Sequence, residues 1–183
     1  MITGNLPNIL TITRILLLPF FASTLIYGHY GYALILFLTA AITDTLDGLL
    51  ARIKKQTTDF GRILDPLADK FLLITAFILM SVYEWIPKWL TITVISRDLI
   101  VITGCVIIYF VTHTVKAVPP PSLLGKAANT CQFLLIGIVL LLINTKGSAA
   151  VPVALVVTVA FFTITSGLHY IYKGLKIAYE PHN

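Results

Sequence analysis

Four aspartates stand at helical spacing inside an otherwise apolar chain. Asp44 and Asp47 are three residues apart, and Asp65 and Asp69 are four residues apart. Because an α-helix turns once in about 3.6 residues, the members of each pair share one helix face. Carboxylate oxygens are the ligands that hard divalent cations such as Mg²⁺ prefer. Four of them at the ends of two successive helices therefore predict an oxygen cage for a divalent metal.

The alternative is a solvated helix face, which is the usual origin of paired acids in a soluble protein. The flanking sequence argues against it, because the apolar run FLLITAFILM follows the second pair of aspartates. Ionisable groups within membrane-spanning segments are costly and mark functional sites. Without compensation, four clustered carboxylates would repel each other and some would take up protons. Bound metal is the simplest compensation.

The composition is that of a membrane protein. Apolar residues make up 57% of the 183 residues and charged residues only 11%, and the length predicts a single domain over 1–183. Six apolar runs are each close to the roughly 20 residues that a spanning helix needs. We therefore predict an all-α integral membrane fold with six transmembrane helices, at about 6–27, 31–50, 63–82, 88–112, 123–143 and 150–172.

The distribution of basic residues predicts the orientation. With six spans, both chain ends lie on the same side of the membrane. Most of the Lys and Arg residues in the loops would also lie on that side, and only Lys88 and Lys146 would lie on the opposite side. The positive-inside rule then places both termini and the aspartates at the cytoplasmic face of a bacterial-type inner membrane. The formal net charge is +5. Because its Lys and Arg residues are scattered, without interleaved aromatics, we expect no nucleic-acid partner.

The stretch from Asp44 to Asp69 also resembles a known signature. It fits the pattern D-x2-D-G-x2-A-R-x8-G-x3-D-x3-D of the CDP-alcohol phosphatidyltransferases at all eight fixed positions. Hydrophobicity and length suit that family over nearly the whole chain. The resemblance implies that an alcohol attacks CDP-diacylglycerol and that CMP leaves. It also implies a membrane-lipid environment, a homodimer and a metal cofactor, Mg²⁺ or Mn²⁺, in a two-metal site.

The resemblance assigns roles within this stretch. The final aspartate, Asp69, would be the general base as well as a metal ligand. Gly48 and Ala51 would leave room for the nucleotide, although small residues one turn apart also serve close helix packing. The guanidinium group of Arg52 can donate two hydrogen bonds to a phosphate. Asp59 is expected in the polar link between the helices, and Gly61 in a tight turn into the third helix. The predicted metal ligands are Asp44, Asp47, Asp65 and Asp69, and the predicted nucleotide or phosphate contacts are Gly48, Ala51, Arg52, Thr58 and Gly61.

The acceptor alcohol depends on the fourth apolar run. Family members that accept glycerol 3-phosphate typically read R-E, five residues, then G-L-R. Here Arg97, Asp98 and Gly104 align, but Cys105 and Val106 stand where that pattern has Leu and Arg. A missing cation argues against a free phosphate on the acceptor. The S-R-D triplet and the Gly125-Lys126 segment resemble the CMP-forming cardiolipin synthases, so phosphatidylglycerol is the favoured acceptor and glycerol 3-phosphate the second.

Three basic residues are candidate acceptor ligands: Arg14, Arg97 and Lys126. Arg14 ends the block N-x-P-N-x-L-T-x-x-R, which resembles the bacterial glycerophospholipid branch of the family, and it could instead reach the lipid headgroups. Arg97 and Asp98 could form a purely structural pair. Other classes remain open: a small cation transporter, in which intramembrane acids relay ions, or a non-catalytic scaffold. The arginine at position 52, beside the aspartates, favours a site for a nucleotide diphosphate, because a cation pathway has little use for a positive charge there.

Overall fold

The computed structural model describes residues 6–54, 59–112, 122–147 and 150–179. Within these ranges it describes the backbone but not the side chains of residues 6–12, 14, 15, 44–54, 59–69, 105, 108–112 and 175–179. The described residues form six α-helices and no strand. The helices are α1 (Leu6–Ile26), α2 (Tyr30–Lys54), α3 (Asp59–Val82), α4 (Lys88–Thr112), α5 (Leu123–Lys146) and α6 (Val153–Tyr179).

Each predicted apolar run corresponds to one of these helices, so the all-α fold is confirmed. The differences lie around the aspartates. Helix α2 continues to Lys54, and α3 already begins at Asp59. The prediction that Asp59 lies in the link was wrong, and so was the tight turn at Gly61, which falls inside the first turn of α3. The physical reason is that an acid at a helix start is stabilised by the helix dipole, so the helix can begin at Asp59.

Helices α1 and α3 end in similar left-handed turns. Gly28 follows α1 with φ 76°, and Glu84 follows α3 with φ 61°. The next backbone N–H donates to the carbonyl five positions earlier, over 2.8 Å after α1 and 2.9 Å after α3. This pattern is the Schellman cap, in which glycine is usual because it has no Cβ. Glu84 adopts the same conformation at a cost of about 1–2 kcal/mol.

The chain forms two compact units, Met1–Trp85 with Ile136–Ala150, and Ile86–Leu135 with Val151–Asn183. In the first unit, α1 packs against both α2 and α3. Phe21 of α1 meets Phe37 of α2 with ring centroids 6.2 Å apart. Ala33 and Ala40, one before and one after Phe37 on α2, are also fully buried. Small residues beside a large ring let helix backbones approach closely. The packing of α1 thus holds the two aspartate-bearing helices in one unit.

The buried side chains of the second unit change from mainly apolar to largely polar along α4 and α6. Helices α4 and α6 pack together, and Leu90, Val94 and Val159 are fully buried in their first turns. Further along the same helix faces the buried side chains become polar. These polar residues are Arg97 and Asp98 of α4, Ser122 before α5, Gln132 of α5, and Thr163 and Ser166 of α6. A buried polar layer of this kind is costly unless its groups are hydrogen-bonded.

Two of the described helices are long and apolar enough to cross a membrane. They are Leu123–Lys146, with a mean hydropathy of 1.9, and Val153–Gly174, with 1.7. Shorter apolar segments occur at Leu16–Ile26, Tyr30–Thr43 and Lys70–Val82. The number of spans and their orientation stay predictions, and so does the single domain over 1–183.

Candidate active site

The four aspartates lie on two helices of one unit. Asp44 and Asp47 belong to α2, and Asp65 and Asp69 belong to α3. With a rise of about 1.5 Å per residue, the first pair spans roughly 4.5 Å of helix axis and the second roughly 6 Å. The described part of the structure covers the backbone of these residues and not their side chains. Their role as metal ligands, and that of Asp69 as base, stay predictions.

The residues expected to contact the nucleotide share this setting. Gly48, Ala51 and Arg52 lie in the last turns of α2, and Gly61 lies in the first turn of α3. Thr58 lies outside the described residues. The helical backbone therefore places the small residues and Arg52 directly after Asp47, but it does not test their contacts. Arg14, a candidate acceptor ligand, lies in the middle of α1 and is described by its backbone only.

Arg97 of α4 is buried, with 6% of its surface exposed, and it bonds to three protein groups. Its Nη1 donates to Oδ1 of Asp98 at 2.7 Å and to Oδ1 of Asn129 at 3.2 Å, and its Nη2 donates to Oγ of Ser166 at 2.8 Å. The Tyr170 ring lies 6.0 Å from its Cζ. One guanidinium thus connects α4, α5 and α6, and both terminal nitrogens are engaged within the protein. Whether Arg97 also contacts the acceptor stays a prediction.

The start of α5 is fixed beside this guanidinium. Oγ of Ser122 accepts a hydrogen bond from the Gly125 amide at 3.1 Å, as at a helix N-cap. The Ser122 amide in turn donates to the hydroxyl of Tyr170 at 3.2 Å. A Cβ added to Gly125 would lie only 3.0 Å from Nη2 of Arg97, and one added to Gly167 would lie 3.4 Å from its Cγ. Two glycines therefore make room for one arginine.

The polar layer extends to the next turn along α5 and to the preceding turn of α6. Nε2 of Gln132 donates to Oγ1 of Thr163 at 3.1 Å. The buried atoms without a hydrogen-bond partner among the described residues include Oε1 of Gln132 and Nε of Arg97. Leaving a buried polar atom unsatisfied costs about 1–3 kcal/mol. The layer therefore keeps a donor and an acceptor that water or a polar ligand could satisfy.

Lys126, the third candidate acceptor ligand, follows Gly125 in the first turn of α5. Its side chain is exposed, and no other described residue forms an ion pair with it. Its backbone amide donates to the Ser122 carbonyl at 3.1 Å, and its carbonyl accepts from Oγ1 of Thr130 at 3.0 Å. Lys126 is thus a cation on a firmly hydrogen-bonded helix start, next to the Arg97 network.

The sequence interpretation singled out Arg97 and Asp98 but missed three residues that surround them. Ser122, Ser166 and Tyr170 complete the network, and Tyr170 had been interpreted only as part of an interfacial aromatic belt. A signal was present, because the buried charge pair requires polar or small partners on neighbouring helices, and Ser166-Gly167 is such a pair within an apolar helix. The sequence does not show which helices are neighbours.

The comparisons with known proteins match the chain to one family. A family model described as CDP-alcohol phosphatidyltransferase matches residues 4–164. The chain belongs to the CDP-alcohol phosphatidyltransferase family, a membrane-associated family of enzymes.

Several relatives cover much of the chain. A probable phosphatidylglycerophosphate synthase of Mycobacterium tuberculosis is 35% identical over 94% of this chain and 83% of its own. A CDP-diacylglycerol–glycerol-3-phosphate 3-phosphatidyltransferase of Bacillus subtilis is 35% identical over 93% of this chain and 95% of its own. The cardiolipin synthase (CMP-forming) of Homo sapiens is 36% identical over 69% of this chain and 41% of its own. These names share the reaction class and differ in the acceptor.

The class of activity follows from the family. The protein has CDP-alcohol phosphatidyltransferase activity, with CDP-diacylglycerol as donor and an alcohol as acceptor. Its identification as an enzyme of phospholipid synthesis is thereby confirmed.

Proposed function

We propose that this enzyme transfers the phosphatidyl group of CDP-diacylglycerol to phosphatidylglycerol, which forms cardiolipin and CMP. The proposal rests on how few positive charges α4 has available for a ligand. This helix has two by sequence, Lys88 at its first residue and Arg97. Both terminal nitrogens of Arg97 already bond to Asp98, Asn129 and Ser166. The helix thus offers little charge for a mobile phosphate dianion.

Position 106 supports the same acceptor. Val106 stands where the glycerol 3-phosphate pattern has an arginine, and its apolar side chain is 47% exposed. An exposed valine suits the neutral glycerol head of phosphatidylglycerol better than a phosphate. Because phosphatidylglycerol is held in the bilayer by its own acyl chains, it also needs less charge recognition at the site.

We further propose that the reaction depends on Mg²⁺ or Mn²⁺. The donor set fits such an ion, because it consists of four carboxylates, those of Asp44, Asp47, Asp65 and Asp69, on two helices of one unit. When bound, the metal would neutralise charge on the pyrophosphate and acidify the attacking hydroxyl. Arg52, one turn beyond Gly48, would add a bidentate contact to a phosphate oxygen.

In this proposal Asp69 removes the proton of the acceptor hydroxyl. The hydroxyl oxygen forms a bond to the phosphorus that carries diacylglycerol, the bond from that phosphorus to the CMP oxygen breaks, and CMP leaves as the anion. The proton passes to a carboxylate oxygen of Asp69 and then to solvent. The small residues Gly48 and Ala51 leave room for the nucleotide beside this centre.

Glycerol 3-phosphate is the second candidate acceptor. It is favoured by the names of two relatives that cover more than nine-tenths of this chain, from Bacillus subtilis at 93% and Haemophilus influenzae at 91%. In that case Lys126 or Arg14 would supply the phosphate ligand that α4 lacks.

The acceptor is tested with purified protein in mixed micelles that contain CDP-diacylglycerol and Mg²⁺. We expect CMP release to be faster with phosphatidylglycerol than with glycerol 3-phosphate, by about tenfold if one charge-assisted contact is missing. Products are separated by thin-layer chromatography, so cardiolipin and phosphatidylglycerophosphate are distinguished. Phosphatidylglycerophosphate without cardiolipin would reverse the ranking.

The proposed topology has six spans, with the aspartates and both chain ends at the cytoplasmic face of a homodimer. In a background without Cys105 and Cys131, we expect Lys55→Cys and Lys116→Cys to react with an impermeant maleimide only from the cytoplasmic side. We expect Lys88→Cys and Lys146→Cys to react only from the outside. Labelling of positions 55 and 146 from the same side would exclude this topology. Labelling in inverted and right-side-out vesicles gives both measurements.

A further inference from the structure

We infer that Arg97 is a positioning residue, which holds the first turns of α5 against α4 and α6 and thereby places Lys126 for the acceptor. This inference rests on the proposed function only for the reaction class, and it takes Lys126 as the acceptor ligand that the sequence predicts. It differs from the sequence-based expectation, in which Arg97 itself contacts the acceptor.

The first step is the direction of the Arg97 bonds. Nη1 bonds to Asn129 of α5 and Nη2 bonds to Ser166 of α6, at 3.2 and 2.8 Å. Because the planar guanidinium group bonds to both helices at once, it holds them at a fixed separation. Asn129 lies three residues after Lys126, so both belong to the same face of α5. A shift of the guanidinium therefore moves the turn that carries Lys126.

The second step is the role of Gly125. A Cβ at this position would meet Nη2 of Arg97 at 3.0 Å, Oγ of Ser122 at 3.3 Å and the Tyr170 ring at 3.4 Å. An arginine tip can usually move away, but this Nη2 is held by its 2.8 Å bond to Ser166. Alanine at 125 must therefore displace either the guanidinium or the start of α5. Gly125 is small because Arg97 lies against it.

The third step is the contrast with Gly137 on the same helix. A Cβ there would have its nearest neighbour at 3.8 Å, a ring carbon of Phe37, which is an ordinary contact. Both substitutions replace a glycine of α5 by alanine, which has the higher helix propensity. Gly137→Ala is therefore a matched control for Gly125→Ala.

The test measures KM for the acceptor, KM for CDP-diacylglycerol, kcat and apparent Tm in detergent. It uses whichever acceptor the unmodified enzyme accepts, so an incorrect choice of phosphatidylglycerol does not affect it. We expect Gly125→Ala to raise the acceptor KM about tenfold, with the donor KM within about twofold, and Gly137→Ala to leave both within about twofold. Equal acceptor KM values for the two alanine variants would overturn the role of Gly125.

Double-mutant cycles separate positioning from direct binding. Arg97→Lys keeps a positive charge beside Asp98 but removes Nη2, so we expect Gly125→Ala to lower Tm by about 3 °C in the native background and by much less in the Arg97→Lys background. This readout needs no substrate, and equal Tm losses in both backgrounds would overturn the proposed contact.

The second cycle pairs Arg97→Lys with Lys126→Ala. If Arg97 acts through Lys126, the double variant has an acceptor KM no higher than the worse single variant. If Arg97 binds the acceptor directly, for example through its unpartnered Nε, two increases of about tenfold multiply to about a hundredfold. An increase of about a hundredfold in the acceptor KM of the double variant would overturn the inference. An acceptor KM no higher than that of the worse single variant would support the positioning role.

Discussion

The Asp69→Asn variant is expected to bind CDP-diacylglycerol but to release no CMP. A carboxamide cannot accept the proton of the attacking hydroxyl, yet its oxygen remains a neutral ligand, and three other carboxylates are unchanged. Donor affinity should therefore fall by no more than about tenfold. Asp44→Asn and Asp47→Asn are expected to weaken donor binding as well, because the pyrophosphate would be held through metal. Binding is measured with a fluorescent CDP-diacylglycerol analogue, and turnover by CMP release.

Asp59→Asn is the matched control for this experiment. Asp59 is an acid of the same helix, at its first residue and outside the eight-position pattern. Asparagine at a helix start caps as well as aspartate does, so helix α3 should be preserved. We expect its turnover within about twofold of the native enzyme. Near-normal turnover of Asp69→Asn at saturating Mg²⁺ would contradict the assignment of the base, whereas equal losses in both variants would indicate damage to α3.

The helices could be predicted closely from the sequence, because a membrane span requires a continuous apolar run. Helix α4 has the predicted bounds, Lys88–Thr112. The prediction failed where the chain becomes polar, since an apolar run ends there although the helix does not. Thus α2 continues through the aspartates to Lys54, and α3 begins as early as Asp59. Glu84 was equally unpredictable, because its left-handed cap is a position where glycine is usual.

The pairing of residues in the acidic motif could be predicted from the sequence, whereas the contacts of the polar layer could not. The aspartate pairs are local, with partners three and four positions apart, so helical periodicity alone brings each pair together. Arg97 bonds to Asn129 and Ser166, which are 32 and 69 positions away. No local pattern specifies contacts over such distances. A buried charge pair predicts that partners exist, but only the packing of α4 against α6 identifies them.

Val106→Arg is expected to shift acceptor preference toward glycerol 3-phosphate. Val106 is 47% exposed on α4, so a guanidinium can be accommodated without displacing buried side chains. A charge-assisted hydrogen bond to phosphate contributes roughly 1.5–3 kcal/mol. The ratio of kcat/KM for glycerol 3-phosphate to that for phosphatidylglycerol should therefore rise by about tenfold to a hundredfold. Competition assays with both acceptors present measure this ratio directly.

Two control variants separate charge from size and from position. Val106→Met adds length without charge, and Ile107→Arg adds the same charge one residue along α4, where the side chain is 56% exposed. Successive residues of a helix point about 100° apart, so the second arginine faces a different direction. We expect neither control to raise the ratio more than about twofold. A similar rise for Ile107→Arg would mean that added charge anywhere on α4 attracts the dianion. No rise for Val106→Arg would mean that position 106 does not face the acceptor, and Lys126 or Arg14 would then be the positions to test.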